Sequence, residues 1–189
     1  NGARIIDEKG KEIYSVTLNK KCKDFILNLD YKKYGKEIFI NGYSGTDWFV
    51  ISDEYKDFYS KRRVDKTFGA TVIDIEEFKK KDFNKLFFIG SFENLKKIRE
   101  VLKENISKDA NIDFVSENSL EIFDISANKA NASLKLLEKD GINPDEVIAF
   151  GDGLNDYSML KLFKNSFIMA NALQELKDLL PEKEIIDDS

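Results

Sequence analysis

The sequence predicts an α/β protein, and three observations carry that prediction. Residues 147–160 read VIAFGDGLNDYSML, in which a four-residue apolar run stops at Gly151; this predicts a strand buried on both faces. Met159, Leu160 and Phe163 then recur at helical spacing, so an Asn or Asp cap at 155–156 predicts a helix directly after a compact acidic turn. Between about 18 and 124, short β-prone runs alternate with amphipathic stretches, which predicts a second α/β unit with paired strands. A hydrophobic content of 42%, with 12% aromatic, over 189 residues is enough for one large or two small domains.

Taken in order, residues 4–7 predict a short strand and 8–11 a hairpin turn into a second strand at 12–14. Apolar side chains at 18, 22, 25, 26 and 29, followed by Gly35, predict a helix across 18–34. Two β-prone runs at 37–43 and 47–52, joined by Ser44-Gly45-Thr46, predict a hairpin. Tyr55, Phe58 and Tyr59 give 53–63 a helical aromatic stripe, read as core. A strand at 71–75 precedes a weakly helical turn at 76–83 whose lysines 79–81 form a solvated face. KLFFIG at 85–90 is a strand, and Ser91 is placed to cap a helix with Leu95, Ile98, Val101 and Leu102 on one face. Strands at 111–116 and 120–124 follow. Lys129 starts a helix closed by Gly141, and after the acidic loop come a strand at 166–169, a helix at 173–180 stopped by Pro181, and a strand at 184–186.

Composition removes whole classes of function. The net charge is −5 and the lysines are scattered among acids, so no basic face for nucleic acid is expected. No apolar stretch reaches membrane-spanning length and no signal-peptide pattern opens the chain, so a reducing, cytoplasmic setting is expected. The single cysteine, Cys22, excludes an internal disulfide and a thiolate zinc cluster; it shares an apolar row with Leu18, Phe25, Ile26 and Leu29 and is expected to be buried. Histidine is absent, which removes Ser-His and Cys-His pairs, histidine bases and histidine metal sites. Chemistry is left to carboxylates, lysine, amides and a hard cation.

The acidic loop is the place for it. The strand delivers Asp152, Asn155 and Asp156 at its C-terminal end, where open α/β sheets bind ligands. Carboxylates and an amide suit Mg2+, which takes oxygen ligands and keeps waters that a phosphate can replace. Used only structurally, the same residues would form an Asx-rich turn capping the next helix. The full string is more specific than that: it resembles the fourth motif of the haloacid dehalogenase superfamily, GDGxNDxxML.

What the resemblance implies covers the whole chain. The stretch EIFDISANKANASLKLL resembles the third motif, whose lysine, here Lys129, contacts the phosphoryl group. Asn1-Gly2-Ala3 and the following hairpin resemble the junction just before the inserted cap of Cof-type members. The expected organisation is a core segment at 1–14, an α/β cap at 15–124 that acts as a substrate-selecting lid, and a core segment at 125–189. Together these make the C-terminal part of a Rossmann-like core plus an inserted cap. Asp152 and Asp156 are implied as metal ligands, Lys129 as catalytic, and Asn155 and Asn1 as substrate-binding.

The implied activity is magnesium-dependent hydrolysis of small sugar or cofactor phosphates through an aspartyl-phosphate, with a small phosphorylated metabolite as partner. The string 71–76, TVIDIE, resembles the first motif only superficially, having Glu for its second Asp and no Gly-Thr, and is read as cap structure. Met169-Ala170-Asn171-Ala172 stands where the family usually has Met-Gly-Asn-Ala. With no nucleophile strand and no initiator Met, the chain is expected to be a fragment, inactive by itself and able to self-associate. Two other readings are a cytoplasmic piece of a P-type ATPase, which shares the GDGxND loop, and a non-catalytic module that binds phosphorylated ligands.

Overall fold

The computed structural model describes residues 2–51 and 69–187. Asn1 and the helix expected at 53–63 lie outside the described residues. The chain divides into two compact units, residues 1–15 with 126–189, and residues 16–125. Among the described residues no helix is long and apolar enough to cross a membrane.

The inserted unit is built on a six-stranded sheet in the order β5-β4-β3-β6-β8-β7. Its strands are β3 (Phe39–Ser44), β4 (Asp47–Val50), β5 (Thr71–Val72), β6 (Lys85–Ile89), β7 (Ala110–Ser116) and β8 (Ser119–Asp124). The β3–β4 hairpin turns at Gly45, whose φ of +61° is open to glycine at little cost. Helices α1 (Lys20–Asn28) and α3 (Phe92–Ile106) cover one face. Cys22, Ile26, Leu95, Ile98 and Leu102 interlock there with Ile40, Leu86, Phe88, Leu120 and Ile122. Strand alternation sends these positions inward together, and each fully buried aliphatic contributes about 1.5–3 kcal/mol.

Several elements differ from their sequence-based bounds. The helix expected to run to 34 ends at Asn28, because Leu29 is already extended, and a separate 3-10 turn spans Tyr31–Tyr34. The true N-cap is Asn19, whose side chain accepts from the Cys22 N–H. β5 has two residues, since Asp74 caps α2 (Ile75–Lys80) and pulls Ile75 into that helix. Ser91 sits at the N-cap of α3 but makes no side-chain cap bond; its hydroxyl is 3.5 Å from Glu37 Oε1.

The other unit opens with the hairpin β1 (Arg4–Ile6) and β2 (Glu12–Ser15), paired antiparallel. Its main sheet is three parallel strands in the order β11-β10-β9: β9 (Ile148–Gly151), β10 (Asn165–Met169) and β11 (Glu184–Ile186). α4 (Lys129–Asp140), α5 (Tyr157–Leu162) and α6 (Gln174–Leu179) complete it. Gly141, at φ +67°, ends α4 in the left-handed conformation. Leu160, Ile168, Ala172, Leu176 and Leu180 form its core. Among the described residues β9 is an edge strand, and it is not buried on both faces: Ile148 and Phe150 are 60% and 52% exposed, while Ala149 and Gly151 are buried. The apolar run fits a two-sided burial that these three strands do not supply.

Candidate active site

β9 ends at Gly151, and the next five residues fold back beneath it. Leu154–Asp156 form a 3-10 turn, and α5 begins only at Tyr157. The carboxylate of Asp156 does not cap α5; it turns toward the strand end. Its Oδ2 accepts from the backbone N–H of Asp152 and of Gly153, both at 3.1 Å. Gly151 is what makes room. A Cβ there would lie 2.6 Å from Asp156 Cβ and 3.0 Å from Leu160 Cδ1. The Gly-Asp-Gly spacing therefore buries one carboxylate under the loop that presents another.

The second oxygen of Asp156 is taken by Lys129, whose Nζ donates to Oδ1. Lys129 is the first residue of α4, and Asn128 sets its position as N-cap by accepting from the Asn131 N–H at 2.9 Å. Asn131 in turn donates through Nδ2 to the Ser126 carbonyl at 2.8 Å. Gly2 packs against the same turn at φ +81°, so close that a Cβ would lie 2.3 Å from the Asn128 oxygen. Sequence reasoning does not reach the roles of Gly2 and Asn128. For Asn128 the usable signal is an Asn directly before an apolar helix, the pattern of an N-cap.

Electrostatics follow from this geometry. Asp156 is 3% exposed. Burial pushes its pKa up, but the Lys129 hydrogen bond and the N–H groups of Gly153 and Asp152 outweigh it and hold the carboxyl below its ordinary value. Asp156 is thus a buried anion with every partner supplied by the chain.

Asp152 is the complement: it is exposed, and among the described residues its carboxylate makes no hydrogen bond or ion pair. Its carbonyl accepts from the Leu173 N–H at 3.1 Å, tying the loop to the start of α6. Asn155 is also exposed. Of the expected site residues, the structure brings Lys129, Asp152 and Asp156 together, places Asn155 on the same turn, and leaves Asn1 outside the described residues. Among the described residues no group of three or more His, Cys, Asp or Glu is arranged to hold a metal by itself. The loop offers hard oxygen donors only. That fits magnesium, which needs just one or two protein carboxylates and keeps waters.

Comparison with known proteins matches the chain as a whole to one family. A family profile described as haloacid dehalogenase-like hydrolase matches residues 1–185. A Buchnera aphidicola protein provisionally named a phosphatase is 32% identical over 189 residues, covering 98% of this chain and 68% of its own length. The HMP-PP phosphatase of Klebsiella pneumoniae is 27% identical over 188 residues, covering 100% of this chain and 67% of its own. A solved structure from Thermotoga maritima superposes with a TM-score of 0.76 at 24% identity, over 98% of this chain and 67% of that one. The chain therefore spans about two thirds of the length of these proteins. On a match that runs through both units and takes in the acidic loop and Lys129, the chain belongs to the haloacid dehalogenase-like hydrolases, as a Cof-type member.

Proposed function

We propose that this chain contributes the metal-carboxylate and phosphate-lysine half of a magnesium-dependent phosphomonoesterase site acting on small sugar or cofactor phosphates. The observation that supports it best is the division of labour between two carboxylates four residues apart. Asp156 has both oxygens committed, to Lys129 and to two loop N–H groups, whereas Asp152 is exposed at the C-terminal end of β9. We accordingly assign Asp152 as the direct ligand and Asp156 as a positioning residue. When bound there, magnesium would supply charge neutralisation for the phosphoryl oxygens.

The chain's own residues do the rest. Asp156 holds the Lys129 ammonium in place, so that it offsets negative charge on a phosphoryl group without reorganising at the moment of reaction. The Asn155 amide, exposed on the same turn, can donate and accept hydrogen bonds to orient a ligand. An aspartyl-phosphate route needs a nucleophilic Asp followed two residues later by another Asp in a strand ending Gly-Thr. These 189 residues contain no such string, so turnover is proposed for the whole protein that carries this chain.

The test is release of inorganic phosphate from a panel of sugar and cofactor phosphates by that protein, with Asp152→Asn and Lys129→Met alongside. Each variant should lose at least ~10-fold in turnover, the scale set by outer-sphere changes at metal sites. Asp152→Asn should recover part of its loss at high magnesium. Saturable phosphate binding without hydrolysis in the unaltered protein would instead favour a non-catalytic binding module.

A further inference from the structure

We propose that Asn131 is a positioning residue for Lys129: its amide ties the start of α4 to the Ser126 carbonyl, where the chain returns from the inserted unit, and so holds the lysine within reach of Asp156. The inserted unit ends at Ile125, which makes Ser126 the first residue of the returning chain. Its carbonyl accepts from Asn131 Nδ2 at 2.8 Å and from the Asn128 N–H at 3.1 Å, with Asn128 Nδ2 standing 3.4 Å away. The Asn131 N–H in turn donates to Asn128 Oδ1 at 2.9 Å. Lys129 lies inside the stretch 126–131 that these bonds close.

A helix start does not by itself require this arrangement. With Asn128 as N-cap, Asn131 is the third helical residue, where a Glu or Gln would complete a capping box by reaching back to the N-cap N–H. The ordinary box occurs later in the chain, where the Glu146 carboxylate accepts from the Asn143 N–H at 3.2 Å. At α4 the N-cap N–H is already taken by Ser126, and Asn131 reaches past it as a donor, a role closed to a carboxylate. Asparagine is also a poorer helix former than Ala, Glu or Gln, so local helix stability favours other residues at 131.

What the bond supplies is a fixed root for a long side chain. Lys129 is the first residue of α4, in the turn where a helix is held least, because its first N–H groups have no partner within it. The lysine stem is flexible, so its ammonium is placed only as well as the backbone beneath it. At the far end Asp156 is fixed, its other oxygen held by the N–H groups of Asp152 and Gly153. At the near end Gly2 backs the Asn128–Lys129 peptide so closely that a Cβ would lie 2.9 Å from the Lys129 nitrogen, and Asn131 ties down the same turn through Ser126. This inference rests on the proposed phosphatase reading for what Lys129 does, and not for where it is held.

Asn131→Glu separates helix capping from positioning. Glutamate suits the third position of a helix and the positive end of its dipole, so thermal unfolding should be unchanged or raised, yet it cannot donate to Ser126. In the isotope-labelled full chain the amide signals of Asp152 and Gly153 should shift, because a drifting Lys129 loosens the carboxylate to which both donate. Those of Asn165 and Ser166, at the other end of β10, should stay fixed. Asn131→Ala, which removes the donor without adding a charge, should give the same pattern. In the whole protein that carries this chain, both variants should lower phosphate release by ~5-fold or more, within the ~100-fold that a displacement of about 1 Å can cost. Unmoved Asp152 and Gly153 signals in the folded variants would overturn the proposal, and so would wild-type turnover by both. If the unaltered whole protein releases no phosphate, the phosphatase reading fails while the amide signals still decide this one.

Discussion

Lys129 and Asp156 lie 27 residues apart in sequence and form an ion pair in the fold, with the lysine at the first turn of α4 and the carboxylate beneath the loop that follows β9. A strand packed beside a helix start and a loop brings them together, because successive β and α elements return the chain to the same end of the sheet.

Removing that carboxylate strands three donors at once. Asp156→Ala should destabilise the chain by about 2–3 kcal/mol in urea unfolding; a fully buried pair would cost more, but Lys129 is about a third exposed and regains water. The acid limb gives the sign. The folded Asp156 carboxyl sits below its unfolded value, so its contribution is fully present above the unfolded pKa and lost as pH falls toward the folded one. The stability gap between wild type and Asp156→Asn should therefore hold steady from pH 7 to about 5 and shrink below about 4. A gap that widens on acidification would contradict the geometry.

Gly151→Ala is the steric counterpart. Its Cβ would lie 2.6 Å from Asp156 Cβ, an atom held by two loop hydrogen bonds and an ion pair, so the loop itself has to move. A loss of about 1–3 kcal/mol is expected, as for overpacking elsewhere. Amide chemical shifts should change at Asp152 and Gly153 and stay fixed in the inserted unit. A silent substitution would mean that the loop is not packed as described.

Cys22 is completely buried, and burial raises its thiol pKa, although the Asn19 hydrogen bond works the other way. Both effects of burial keep the thiolate scarce and out of reach. Iodoacetamide at pH 8 should label the chain stoichiometrically in denaturant and at a rate at least ~100-fold lower in buffer, by mass spectrometry. Rapid labelling of the folded chain would place Cys22 outside the core.

The edge of β9 is expected to drive self-association. Ile148 and Phe150 are both more than half exposed there, and β9 pairs only with β10 among the described residues. An unpaired apolar edge is a template for another strand. Light scattering should show a mass that rises with concentration, and the double substitution Ile148→Lys, Phe150→Lys should return it to that of a single chain. A wild-type chain of constant monomer mass would dismiss the idea.

How much of this could be read from the sequence differs from element to element. Residues whose meaning is local were available directly. The apolar run before Gly151, the spacing of Leu95, Ile98 and Leu102, and Gly141 after a helix each state their structure within one or two turns of chain, because the hydrophobic period and the backbone freedom of glycine are local properties. The absence of histidine and the Gly-Asp-Gly-x-Asn-Asp string likewise narrow the chemistry through residue type alone. Tertiary structure decided the rest. The identical residue types Asp152 and Asp156 parted into an exposed carboxylate and a buried one because only one of them meets Lys129 and the loop N–H groups. The run 147–150 became a half-exposed edge because burial depends on how many strands stand beside it. Trp48, Tyr43 and Phe87, drawn from three strands, stand in one row only once the register of those strands is set, since a shift of one residue would send each ring to the other face.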